Sequence, residues 1–450
     1  MKRVVAGLLV LAVLAGLVSC RQSAMPTVTP SAPSSSNTIS SSDAPASSEN
    51  SSQTENSSSS ESSSEVSASS ETESSVPNNS EPQPPLLTEP EPTTYNYQKL
   101  TDIQKVYYKS MLKAVENMQP GWITLGEAAA DFRSDIAVVR NALSLDNPQI
   151  FWLPSHYATA KASSDGDKEV AVMYFSRSPE EDPSYLVTRS EKESMQRKLA
   201  VAMDNICSKV TATDPYEIEL QLHDLLCEQV TYTSFNDSND PMIYTAYGAL
   251  VNGKAVCEGY SRAMQMLLSR FSINSVLVTG VAANEGHMWN AVQLDGKWYH
   301  LDVTWDDTQE GYISHEYFNL DDGLIKIDHT INKNYYELTK TEIASGAKAF
   351  NITTPVCNGT TDNYFKRSGF VFSAGGDEAL ADHIVKKGAG VIEVAFSDGA
   401  FRENFGADVQ IYMTKINLIL FEKYTAYGFR IAKYSISERL LTLFVETYFF

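Results

Sequence analysis

The chain has 450 residues, is 42% hydrophobic and 20% charged, and carries a formal net charge of -21. That acidity argues against nucleic acid as a partner and against a polybasic patch for anionic lipid. Five cysteines, an odd number, imply no closed disulfide framework, and no apolar run after the first twenty residues is long enough to span a bilayer.

Met1, Lys2 and Arg3 form a basic start, and Val4 to Val18 is almost unbroken apolar sequence, too short for a stable membrane helix and patterned as an export signal. It ends Leu17-Val18-Ser19-Cys20, which resembles a bacterial lipobox. The resemblance implies that Cys20 is diacylated and that the mature chain is anchored to a membrane by lipid without spanning it. From Arg21 to Thr94 the chain is Ser, Thr, Pro, Glu and Asn with few large apolar side chains, so it cannot bury enough surface to offset its conformational entropy. Ten acids between Asp43 and Glu91 against the single Arg21 place part of the acidity on this tether. As a coil, roughly 75 residues span on the order of 50 Å.

The periodicity predicts a helix over Thr101–Met118, a turn at Asp146-Asn147-Pro148, a strand over Glu169–Phe175 and an amphipathic helix over Ser190–Lys209. This 95–214 segment reads as a mainly helical extension without chemistry of its own, with Cys207 a buried small hydrophobe. Tyr216–Val230 is a further helix pattern containing His223, Asp224 and Cys227. A Cys and a His four apart share a helix face, yet two ligands fall short of the usual four, so the pair reads as structural.

Chemistry concentrates in Thr245–Asp307. Gly253 marks a loop before Lys254-Ala255-Val256-Cys257-Glu258-Gly259-Tyr260, after which apolar residues recur at helical spacing. Cys257 therefore falls in a first helical turn, where unpaired N–H groups and the helix dipole favour a thiolate and can hold an oxyanion. Gly286–Leu294 is strand-like, Asp295-Gly296 is a hairpin turn, and Lys297–Trp305 is rich in aromatic and β-branched residues. A two-residue turn puts Trp289 opposite Asp302 and His287 opposite Thr304, so His287 and Asp302 become diagonal neighbours on one face. The order nucleophile, base, orienting acid is what thiol catalysis needs. Lesser candidates are Asn252 as an oxyanion donor, His300 as an alternative base, and Asp306, Asp307 and Glu310 as a solvated acidic turn. Trp289 reads either as a shield over the pair or as core.

These boxes, Gly-Lys-Ala-Val-Cys-Glu-Gly-Tyr, His-Met-Trp-Asn and Trp-Tyr-His-Leu-Asp-Val-Thr-Trp-Asp, resemble the bacterial transglutaminase-like superfamily over Tyr216 to about Asp307. The resemblance implies an α+β, papain-like core with the cysteine helix packed on an antiparallel sheet, Cys257 as nucleophile, His287 as general base and Asp302 as its partner. It gives no warrant for the calcium dependence of the large animal cross-linking enzymes, and neither a cofactor nor a metal is expected.

Beyond about Ile331, strands at Gly369–Ser373 and Gly390–Ser397, helices at Asp377–Lys387 and Ala407–Lys423, and two strands within Tyr427–Phe449 predict a small α/β domain. Cys357 has no obvious partner. The expected organisation is a signal over 1–20, a linker over 21–94, an extension over 95–214, a catalytic core over 215–330 and a C-terminal domain over 331–450. The leading expectation is a lipid-anchored extracytoplasmic thiol enzyme acting on a protein or peptide substrate, such as one associated with the cell wall, by hydrolysis or by amine transfer. The alternative is a catalytically silent surface module that binds.

Overall fold

A computed structural model describes residues 94–154, 157–163, 168–175, 187–234, 236–308, 311–332, 353–367, 369–423 and 427–449. The expected signal, Cys20, the linker up to residue 93 and Glu310 lie outside the described residues. Among the described residues no helix is long and apolar enough to cross a membrane.

The N-terminal part sets α1 (Tyr95–Gln98), α2 (Asp102–Glu116) and α3 (Phe132–Asp146) beside a three-stranded sheet of β1 (Trp122–Glu127), β2 (Ala158–Ser163) and β3 (Glu169–Tyr174), in the order β1-β3-β2, followed by α4 (Arg189–Cys207). The start of α2 is fixed by a capping box, in which the Thr101 hydroxyl accepts from Gln104 N–H and the Gln104 side chain accepts from Thr101 N–H. Thr188 and Glu191 do the same for α4. Asp146 closes α3 and accepts from Asn96 and Tyr97 N–H, tying α1 to it. Cys207 is half-buried at the margin of the core, where full burial was expected.

The central part begins with α5 (Pro215–Gln229), which has proline at its first position and Asp214 as cap. β4 (Thr231–Tyr232) pairs in parallel with β5 (Lys254–Ala255), enclosing a 3₁₀ turn at Pro241–Tyr244 and the short α6 (Ala246–Leu250). Then α7 (Cys257–Arg270) packs on an antiparallel sheet of β6 (Ser275–Ala282), β7 (Glu285–Leu294), β8 (Lys297–Leu301) and β9 (His329–Ile331), in the order β8-β7-β6-β9. This is the expected α+β arrangement, a cysteine helix on an antiparallel sheet. The β7–β8 hairpin turns through Asp295 and Gly296, both at positive φ (47° and 76°), as a two-residue turn of this twist requires. Its register pairs Leu294 with Lys297 and Asn290 with Leu301.

The second strand was expected to extend to Trp305, but β8 stops at Leu301 and Val303–Asp306 forms a one-turn helix, α8. Asp302 caps it, its carboxylate accepting from the N–H groups of Thr304 and Trp305. That local capping bond competes with strand pairing and wins.

Segment 353–367 packs back on the central part, with Cys357 among Val276, Val278, Trp289 and Tyr317. The C-terminal part has its own apolar core, from Phe372 to Val445. Its four-stranded sheet runs Val371–Phe372, Gly390–Phe396, Leu440–Phe449, Tyr427–Ile436, with helices Asp377–Lys387, Gly399–Ala407 and Val409–Lys423. The Gly399–Ala407 helix was not anticipated.

Candidate active site

Cys257 is the first residue of α7, following Val256, and no side chain caps this helix. Its N-terminal N–H groups thus keep the positive end of the dipole for the sulfur and for an oxyanion. The start of α7 is pressed against the 3₁₀ segment: a Cβ on Gly259 would lie 2.5 Å from the Ile243 carbonyl oxygen, so only glycine fits there. Glu258 bonds Arg262 at 2.8 Å, and Arg262 donates to the Ser144 carbonyl at 2.7 Å, anchoring the helix to α3. Tyr260 donates to Asp307 at 2.5 Å and to the Val230 carbonyl. The residues that follow Cys257 are therefore what hold it in place.

Ser261, one turn along α7, donates to the Met288 carbonyl, and Asn290 donates back to the Ser261 carbonyl. These bonds lay α7 along β7 and put Cys257 in a buried cluster with Ile243, Tyr244, Leu277 and Met288, the residue after His287. Met288 joins the cysteine's cluster, and the His287 ring bonds Asp302 and packs against Trp289, Trp305 and His329. Cys207, Cys227 and Cys357 are free thiols.

His287 and Asp302 meet directly, Nε2 to Oδ2 at 2.5 Å, with the carboxylate fully buried and the ring 6% exposed. Burial would raise the Asp302 pKa, but the His287 charge and the bonds from His287 and His329 outweigh it and hold the carboxyl well below its usual range. His329 was missed from sequence. Its Nε2 lies 3.1 Å from the same Asp302 oxygen and its Nδ1 lies 2.6 Å from Asp328. Burial would lower its pKa, yet the two carboxylates raise it. Only the Thr330-Ile331 strand signal hinted at this element, and nothing local tells that it pairs with β6.

Trp289 fills both roles proposed for it. It stacks on His287 with centroids 5.8 Å apart, is fully buried, and donates to His300 Nδ1 at 3.0 Å. An indole N–H only donates, so His300 Nδ1 accepts and Nε2 carries the proton toward Asp322 at 3.0 Å. With both nitrogens engaged there, His300 serves the Trp289 side of the sheet. Asn252 is exposed in the turn before β5, its N–H bonded to the Tyr247 carbonyl.

The acidic turn is not the solvated one expected. Asp306 is fully buried, accepts from Tyr317 N–H and faces His223 Nε2 at 3.3 Å; burial raises its pKa to about 6. Asp307 receives the Tyr260 hydroxyl. Cys227 does not join His223: its thiol points to the Val303 carbonyl, and burial pushes its pKa up.

Residues 204–303 match the family model described as the transglutaminase-like superfamily. This stretch, which holds Cys257, His287 and Asp302, is similar to that family. Among solved structures, a TGase shares 12% identity over 48% of this chain and 52% of its own, with a TM-score of 0.25. A candidate cysteine protease from Cytophaga hutchinsonii shares 14% over 33% and 61%, with a TM-score of 0.20. The chain thus spans about half the length of the first of these and under two thirds of the second. No curated protein sequence matches it.

Proposed function

We propose that the chain is a thiol acyltransferase or amidase acting on protein or peptide carboxamides, held outside the cytoplasm by a lipid on Cys20. The observation that carries the catalytic reading is the buried 2.5 Å His287–Asp302 pair on the strand that abuts an uncapped cysteine helix. The reduced Cys257 thiolate attacks the carbonyl carbon, and the electron pair of the C=O bond moves to oxygen, which the N–H groups of α7 receive. Collapse expels ammonia or an amine, which takes its proton from His287, and leaves a thioester. Water or a primary amine then attacks the thioester, gives its proton to His287 and releases the Cys257 sulfur. Asp302 fixes the ring through Nε2 and leaves Nδ1 for this proton traffic. The aromatic wall of Trp289, Trp305 and Tyr317 keeps the pair dry and strengthens its electrostatics. The anchoring part rests on the Met1–Cys20 pattern.

The test is mass spectrometry of reduced protein incubated with glutamine-containing peptides, with and without a primary amine. A mass increase on Cys257 matching the acyl group, lost in Cys257→Ser, supports the proposal, and the amine-dependent product separates transfer from hydrolysis. A Cys257 that never takes up acyl groups from any peptide offered leaves the silent binding module.

A further inference from the structure

Three clusters of His, Cys and carboxylate groups occur among the described residues. One is the His287–Asp302–His329 set already described. A second, His300–Asp322–Cys357, lacks a free imidazole lone pair, because Trp289 and Asp322 occupy both ring nitrogens, and its thiol donates to the Pro355 carbonyl.

The third has a different build. His223 Nδ1 and His315 Nε2 converge on one oxygen of Asp224, at 2.9 and 3.1 Å. The far nitrogen of each ring then meets another carboxylate: His223 Nε2 faces Asp306 at 3.3 Å, and His315 Nδ1 lies 3.1 Å from Glu393. His223 Nε2 and Asp306 Oδ2 are buried and have no hydrogen-bond partner among the described residues. Phe318 stands edge-on to His223, and Tyr364 stacks on His315 with centroids 4.0 Å apart, so both rings are fixed in direction.

We propose that His223 Nδ1, Asp224 and His315 Nε2 bind one divalent transition metal, zinc being the best fit, which clamps the C-terminal sheet to the central part. A metal-ligating histidine characteristically gives its second N–H to a carboxylate, which sets its tautomer and raises its basicity. Here His315 has that second partner in Glu393 of the C-terminal sheet, and His223 Nε2 faces Asp306 at 3.3 Å. Bonds of about 2.0–2.1 Å place donors roughly 3.3 Å apart in a tetrahedron, so each histidine nitrogen needs to part from the Asp224 oxygen by only a few tenths of an ångström. Three carboxylates around two imidazoles are an excess of negative charge that a dication offsets. The Asp224 side chain is 39% exposed, which gives the ion a route in and leaves a fourth position for water. The sequence offered no such site, because His315 lies 91 residues from Asp224.

The test uses the full chain, reduced and stripped with chelator, titrated with Co²⁺ and then with Zn²⁺. The expected result is one equivalent of Co²⁺ with visible d–d absorption and no thiolate charge-transfer band, displaced by Zn²⁺. Asp224→Asn, at a part-exposed position, abolishes it; Glu393→Gln weakens affinity about 10–100-fold; His287→Ala leaves it unchanged. Zn²⁺ also raises the unfolding midpoint of the parent and not of Asp224→Asn. Absence of stoichiometric binding, or a signal that survives Asp224→Asn and disappears in His287→Ala, overturns the proposal. Neither result depends on whether Cys257 is reactive.

Discussion

Asp302 uses both carboxylate oxygens: Oδ1 accepts two N–H groups of α8, and Oδ2 faces two histidines. In Asp302→Asn an amide donor faces at least one imidazole N–H, so His287 loses its fixed tautomer. The expected loss in turnover is about 10²- to 10⁴-fold, read in a thioester-formation assay. A carboxyl whose folded pKa is depressed stabilises the fold above its unfolded value near 3.9, and that stability is lost as pH falls below it. The Asn variant therefore unfolds with a shallower dependence on pH below about 4. Glu219 behaves in the opposite sense. It is fully buried in α5, accepts from Asn319 at 2.9 Å, and burial raises its pKa to about 8. Below about 4.5 its contribution is fully present; above that the unfolded chain ionises first, and stability falls by up to ~1.4 kcal/mol per pH unit until about pH 8. Glu219→Gln removes this slope, which denaturant titrations between pH 5 and 8 will show.

Among the elements, α7 is set by its neighbours more than by its own cap. Arg262, nearly buried, joins Glu258 to the Ser144 carbonyl of α3. Arg262→Met leaves both acceptors without their cation, and the expected cost is ~2–3 kcal/mol in a urea titration. The same element shows what the sequence discloses. Its start was legible because Gly253 breaks the chain and apolar residues then recur every three or four positions. The helix α2 was legible from Thr101 and its periodic face. By contrast α3 follows Asp131, whose side chain makes no capping bond, and the Gly399–Ala407 helix contains two glycines that weaken its propensity. The edge strand β2, Ala-Thr-Ala-Lys-Ala-Ser, has few β-branched or aromatic residues and is largely exposed, so no alternation marked it. The end of β8 was misread because Asp302 is both a strand neighbour of Leu301 and a good helix cap.

Over the whole molecule, the hairpin pair His287–Asp302 was readable because a two-residue turn fixes partners fifteen residues apart. His329, His315 with Glu393, and Arg439 come together only through tertiary packing, which leaves no periodic trace in the sequence. The central and C-terminal parts have separate apolar cores, and polar contacts join them. Arg439 is the largest of these: it donates to Asp328 at 2.7 Å and to the Leu324 carbonyl, lies 3.4 Å from Glu316, and sits over the Tyr317 ring. Asp328 in turn holds His329, so a residue of the turn before the Leu440–Phe449 strand supports the Asp302 pair through two intermediates. Arg439→Met strands two carboxylates, and the expected destabilisation is ~3–5 kcal/mol by chemical unfolding.

The central claim is that the reduced Cys257 sulfur is activated by its helix and by His287. Its most direct test is the rate of alkylation of Cys257 against pH, in reduced protein, for the parent and His287→Ala. The expected result is fast reaction already at pH 6–7 and a marked slowing in the variant. A rate that rises only above about pH 8, as for an ordinary thiol, and is the same in both proteins would contradict it.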